Sequence, residues 1–170
     1  MTVRIRPLAA TDAAELLEVR TRSRAQLEPW EPLREPSFWT LAGQQASIEA
    51  ALAEREAGRA HPFVVEHEGR IAGAVNLSQV ARGIFQNAYL GYWVDAACAG
   101  RGLATEAVRQ AVAFAFGEAG LHRVQAAVMP RNAASIRVLE KAGFREEGLA
   151  LRYLQIAGVW EDHKLFAVTT

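Results

Sequence analysis

The segment best able to do chemistry is Leu90 to Ala107, LGYWVDAACAGRGLATEA. An apolar run ending at Val94 reads as a strand, Gly100 and Gly102 fall in the loop behind it, and a helical pattern begins near Ala104 or Thr105. Glycine lets successive backbone N–H groups turn toward one point because no Cβ obstructs the approach. The helix start behind them adds unpaired donors and the positive end of the helix dipole. Arg101 adds a mobile positive charge. This is the chemistry of a pyrophosphate site. The segment lacks the Gly-Lys-Ser/Thr of a P-loop, and Thr105 stands where a dinucleotide fingerprint needs its third Gly or Ala. Taken alone, such a turn is better explained as chain geometry with no ligand.

A second segment, PRNAASIRVLEKAGFREEG from Pro130 to Gly148, places Asn132 where a helix N-cap belongs and Ser135 three residues on, within reach of the same helix start. Ile136, Leu139 and Ala142 supply the buried stripe and Gly143 ends it. By itself this is a capped amphipathic helix.

The elements that must position these residues are legible from periodicity and turn chemistry. Val3 and Ile5 predict a strand stopped by Pro7, and Asp12 with Glu15 predicts a capping box opening a helix to about Arg24. Prolines 29, 32 and 36 forbid a regular helix or central strand from Glu28 to Pro36. A helix from Phe38 to Ala57 follows. Strands at 62–68 and 71–80 form a hairpin turning at Gly69-Arg70, and Ala88–Val94 is a third strand. A helix to Ala119, a strand at 124–129, the Asn132 helix and two strands at 147–156 and 159–168, turning at Gly158, complete the order βααβββαβαββ. That order implies a mixed α/β (α+β) fold, one domain over residues 1–170, with helices on both faces of the sheet.

The 170 residues carry 19 basic and 19 acidic side chains, a formal net charge of zero, and 51% hydrophobic residues. That balance gives no whole-protein attraction to nucleic acid or an anionic membrane. No apolar run approaches the length of a membrane span and no secretory signal is visible at Met1 to Pro7, so a cytoplasmic protein is expected. Cys98, the single cysteine, excludes an intramolecular disulfide and a Cys-cluster zinc site. Arg20, Arg22 and Arg24 are explained by a solvated helix face.

In this order and about 30 residues apart, the two segments resemble motifs A and B of the GNAT superfamily of acetyl-CoA-dependent N-acyltransferases. The first motif, Gln/Arg-x-x-Gly-x-Gly/Ala, is matched by Ala99, Gly100, Arg101, Gly102, Leu103 and Ala104, with Ala99 in place of the usual Gln or Arg. The second, Asn-x-x-Ser-x-x-Val/Leu-x-Glu-Lys-x-Gly-Phe, runs from Asn132 to Phe144. Leu27 to Pro32, the strand from Ala88 to Trp93, and Gly158 to His163 are similar to RimJ-type ribosomal-protein-alanine N-acetyltransferases.

The resemblance implies a mostly antiparallel sheet whose central strand pair splays to admit pantetheine, with Gly91 as a bulge position. It implies acetyl-CoA as co-substrate and no metal. Amides from Gly100 to Thr105 would hold the CoA pyrophosphate, with Ala99 at the head of the motif. Tyr92 would place its amide at the thioester carbonyl, Val94 its backbone on pantetheine, and Trp93 would lie beside them. Asn132 and Ser135 would face the cofactor, with Ser135 donating to the departing thiolate. Trp30 and Glu31 would border the acceptor, a protein N-terminus or a small amine.

Catalytic bases known from relatives are absent: Ala88 stands four residues before Tyr92, and Arg152 precedes Tyr153-Leu154. Glu31 or Glu161 through water remains open for that task. Cys98 and His163 are expected to pack rather than react. A non-catalytic acyl-CoA-binding module is the alternative outside enzymes, and the oligomeric state, monomer or homodimer, is left open.

Overall fold

The computed structural model describes residues 2–170; Met1, whose place in the signal reading was noted above, lies outside them. Strands are β1 (Val3–Pro7), β2 (His61–His67), β3 (Arg70–Ala81), β4 (Asn87–Val94), β5 (Arg123–Val128), β6 (Arg145–Ile156) and β7 (Val159–Thr169). Helices are α1 (Ala13–Leu27), α2 (Leu41–Glu56), α3 (Leu103–Gly117) and α4 (Ala133–Lys141). The strands make one seven-stranded sheet in the order β1-β2-β3-β4-β5-β7-β6, antiparallel everywhere except β4 against β5.

Each face of the sheet is buried by helices, which is why the central strands are apolar on both sides. On one face Leu103, Ala107, Val108, Ala111 and Ala115 of α3 pack on Val75, Leu77, Leu90 and Val124. On the other, Leu16 and Val19 of α1 and Ile48 of α2 meet Val64 and Ile71.

One irregularity makes the site. β4 pairs with β5 only at Asn87, Ala88 and Tyr89, although both strands run on, to Val94 and Val128. Beyond that point they part. The expected bulge at Gly91 is not there: Gly91 sits in regular register with Asn76, and the shift between β3 and β4 falls at Ser78/Ala81. The gap therefore opens by loss of pairing with β5, not by a kink in β4.

Local corrections have simple causes. The Asp12 carboxylate does not cap α1; it accepts from the Ala9 amide and from Arg6, while Glu15 accepts from Arg70 and the Ile71 amide. Long-range cations outcompete the capping box. The β2–β3 hairpin turns at Glu68-Gly69, one residue earlier than expected, with φ of 51° and 75° as a type I′ turn needs. The proline-rich stretch forms two short 3-10 turns, Glu28–Trp30 and Pro36–Trp39. The second of these delays α2 to Leu41, where the Thr40 hydroxyl accepts from the Gly43 amide at 3.1 Å.

Candidate active site

The expected phosphate loop is shaped by backbone alone. Gly100 and Gly102 take φ of 75° and 82°, a left-handed region costly for residues with a Cβ, and Gly102 is the N-cap of α3. The first bond closing α3 runs from the Glu106 amide to the Gly102 carbonyl at 3.1 Å. Among the described residues, no amide from Gly100 to Thr105 donates to a protein acceptor. Six consecutive donors at a helix N-terminus are thus without a protein acceptor, as an anion site requires. The Ala99 amide is already spent on the Ala96 carbonyl, so Ala99 contributes only wall. Leu103 buries its side chain in the core and offers only its amide.

From that loop a groove runs along α4 into the β4/β5 gap. Its phosphate end, about 320 Å3, is lined by Gly102, Leu103, Ala104 and Thr105 with Arg137 and Lys141; its inner end, about 250 Å3, by Tyr92, Val94, Asn132, Ser135 and Trp30. Val94, Gly100, Ala104, Ala134 and Val138 wall both parts. Arg101, the cation expected there, is exposed and lines neither part. Arg137 and Lys141, one helical turn apart on α4, take that place; their i, i+4 spacing was the signal for them. Cys98 packs against the core at the phosphate end, remote from the inner wall.

Strand alternation fixes which β4 amides enter the gap. The Asp95 amide donates to Ala72 of β3, so Trp93 and Gly91 also bond toward β3. Tyr92 and Val94 turn their N–H and C=O groups the other way, into the unpaired gap. An extended amide-bearing chain such as pantetheine fits a sheet edge of this kind.

Side chains alternate too. Tyr92 reaches α4, where its hydroxyl lies 2.7 Å from Ser135 Oγ and 3.2 Å from the Ser135 carbonyl. Asn132 Oδ1 accepts the Ser135 amide at 3.1 Å and so fixes the start of α4. Burial pushes the Tyr92 phenol up to about 12, against a smaller opposing pull from its hydrogen bond with Ser135. Sequence reasoning counted only the Tyr92 amide; nothing local to Tyr92 or Ser135 announces that their hydroxyls meet.

Trp93 points to the opposite face, into a second cavity of about 380 Å3 between the sheet and α1/α2. The two cavities share Glu31, Tyr92 and Trp93 as walls, so they meet at β4 from its two sides. Glu31 is not a free carboxylate. Its Oε1 accepts from Arg20 Nη1 at 3.3 Å and its Oε2 lies 3.8 Å from Arg34 Nε. Trp30 sits on the inner wall of the groove with Arg131 above its ring at 5.8 Å.

Of the α1 arginines expected on a solvated face, Arg22 and Arg24 are exposed and Arg20 is not. Arg20 is buried over the Trp93 ring at 4.5 Å, Arg22 pairs with buried Asp95, and Arg24 lies over Trp39 at 4.3 Å. Asp95 also accepts from Ser23 Oγ and the Ala97 amide, and the Arg22 hydrogen bond chiefly holds its carboxyl below the usual range. His163 is buried with Nδ1 2.9 Å from the Glu161 carbonyl, and Glu161 is paired with Arg131. Neither lines the groove or the second cavity.

A splayed parallel strand pair, a glycine-built anion loop at a helix start and a groove joining them define an acyl-CoA-dependent transferase. The chain matches the family model for the acetyltransferase (GNAT) domain over residues 2–145. It is 42% identical over 169 residues, 98% of this chain and 93% of the relative, to a probable N-acetyltransferase YjcK of Bacillus subtilis. It is 37% identical, over 94% of this chain and 83% of the relative, to the [ribosomal protein uS5]-alanine N-acetyltransferase of Escherichia coli. Mycobacterium smegmatis RimJ, solved with CoA-disulfide, superposes with a TM-score of 0.96 at 37% identity, covering 99% of this chain and 82% of that one. The chain belongs to the GNAT acetyltransferase family and is an acetyl-CoA-dependent N-acetyltransferase.

Proposed function

We propose that the enzyme acetylates the N-terminal α-amine of a protein, a ribosomal protein in the first instance, by direct attack in a ternary complex. The observation that carries this reading is the meeting of two cavities across β4. Acetyl-CoA enters along α4 with its thioester at Tyr92, and the acceptor approaches from the α1/α2 side. The acceptor nitrogen bonds to the carbonyl carbon, and the carbonyl electrons move to oxygen, where the Tyr92 amide receives the developing charge. Collapse breaks the C–S bond, and the Ser135–Tyr92 hydroxyl pair supplies a proton to the departing thiolate and is reprotonated through water by the proton that nitrogen loses.

Two features favour an α-amine over lysine. Glu31 is the single carboxylate among the described residues lining either cavity, and two arginines hold its charge. Without a strong base, deprotonating an α-amine of pKa about 8 costs about 1.4 kcal/mol at pH 7, whereas a lysine amine at about 10.4 costs about 4.6. The Escherichia coli relative, whose name gives ribosomal protein uS5 alanine as its acceptor, supports the same class. N-acetylation of a polyamine is the second reading, and the buried Arg20 weighs against it by repelling a cation.

The test is mass spectrometry of ribosomal proteins, unacetylated at the start, after incubation with the enzyme and acetyl-CoA. Acetyl on an N-terminal α-amine is the expected result. Modification of lysine side chains, or of no ribosomal protein while acetyl-CoA still binds, overturns the assignment.

A further inference from the structure

The cavity on the α1/α2 face holds two guanidiniums against one carboxylate. The side chains of Arg20 and Glu31 are only 15% and 16% exposed. Arg20 spends one N–H on Glu31, at 3.3 Å, and donates to no other described group. Arg34 approaches the other oxygen only to 3.8 Å, beyond hydrogen-bonding range. One positive charge is left over, on a guanidinium that lines the cavity and whose remaining donors have no acceptor among the described residues. Arg20 is also held in place: its guanidinium lies over the Trp93 ring at 4.5 Å and over Phe38 at 5.2 Å. A preorganised, partly desolvated guanidinium binds carboxylate more strongly than one free in water.

The floor of the same cavity carries a second unmet need. Asn76 of β3 lines it, and its buried Oδ1 has no hydrogen-bond partner. An orphaned buried acceptor costs free energy until something donates to it. Beside it on β4, Gly91 faces open space: a Cβ there would meet nothing within 4 Å.

We propose that this cavity selects acceptors carrying a carboxylate near the reacting amine. Asn76 Oδ1 takes an N–H of the amine, Gly91 leaves it room beside β4, and Arg20, seconded by Arg34, binds the carboxylate. The inference rests on the N-terminal acetylation reading, and there it means an Asp or Glu side chain within the first few residues of the acceptor protein. Arg20 is then the specificity-determining residue.

The test is a set of short peptides sharing one N-terminal alanine and carrying Glu, Gln or Lys at each of the next few positions in turn. We expect the best Glu peptide to exceed its Gln counterpart about tenfold in kcat/KM, with the Lys peptide slower still. Arg20→Gln should reduce that ratio to about twofold without changing the KM for acetyl-CoA, and Arg20→Lys should restore part of it. The wild-type panel suffices if Arg20→Gln fails to fold. Equal turnover of the Glu, Gln and Lys peptides overturns carboxylate selection and leaves N-terminal acetylation standing. Turnover of no peptide overturns N-terminal acetylation instead, and selection is then read on small amines, γ-aminobutyrate against putrescine and butylamine. Preference for either amine lacking the carboxylate, or turnover of none, overturns it.

Discussion

At the scale of single residues, the proposed reaction turns on the Tyr92–Ser135 hydroxyl pair. The two oxygens lie 2.7 Å apart, and either can be the donor. Because burial holds the Tyr92 phenol at about 12, it stays protonated, and so able to donate, throughout the working range. Tyr92→Phe and Ser135→Ala should each lower kcat by about 10–100-fold with acetyl-CoA affinity unchanged. The double variant should fall no further than the worse single one, because the pair acts as a unit. Free-thiol release under saturating substrates, with calorimetry for binding, checks this. The pH profile of the wild type should rise with deprotonation of the acceptor amine, near pH 8, and show no fall from phenol ionisation below about pH 11. A full-activity Tyr92→Phe enzyme would reduce the phenol to packing.

At the scale of elements, α1 is fastened to the end of β4 by one buried carboxylate. Asp95 directly follows the strand that presents the Tyr92 and Val94 amides, and it precedes the glycine loop. It accepts from Arg22, Ser23 and Ala97, and Ser23 Oγ in turn accepts the Ala96 amide at 3.0 Å. Asp95→Asn replaces the charged acceptor and should cost about 2 kcal/mol in urea unfolding at pH 7. The sign with pH follows from the depressed carboxyl, which Arg22 chiefly holds down. Its stabilisation is complete above the unfolded value of about 3.9 and is lost as pH falls through the lower folded value. The gap between wild type and variant should therefore narrow below about pH 3.9. A gap independent of pH would assign the loss to packing alone.

At the scale of the whole molecule, the groove is assembled from β4, the phosphate loop, α3 and α4, so filling it should stabilise all of them together. Acetyl-CoA at a hundred times its dissociation constant should add about 2.7 kcal/mol, a rise of about 5–10 °C in Tm for a chain of this size. Thermal melts with and without acetyl-CoA measure it. An unchanged Tm at that saturation would mean that the groove is not the site. No helix among the described residues is long and apolar enough to cross a membrane.

Much of this was legible in the sequence wherever the physics is local. Gly100 and Gly102 let the loop turn ahead of α3, Asn132 caps the helix three residues ahead of Ser135, and apolar periodicity placed all seven strands and four helices. These interactions span a few residues, so spacing alone encodes them. Contacts between elements were not legible. Tyr92 and Ser135 are 43 positions apart and Arg22 and Asp95 are 73. Arg20, Arg22 and Arg24 read as a solvated face because charged side chains are seldom buried without partners, and Arg22 and Arg24 do stay exposed while Arg20 does not. Here the partners, Trp93, Asp95 and Trp39, come from other elements, and the fold alone brings them into reach. The sequence by itself determined the family, the sheet-and-helix frame and the glycine turn that opens α3. The tertiary structure decided the hydroxyl pair, the gap between β4 and β5 and the charge of the cavity beneath α1 and α2, since each is a relation between surfaces that exists only once the chain has packed.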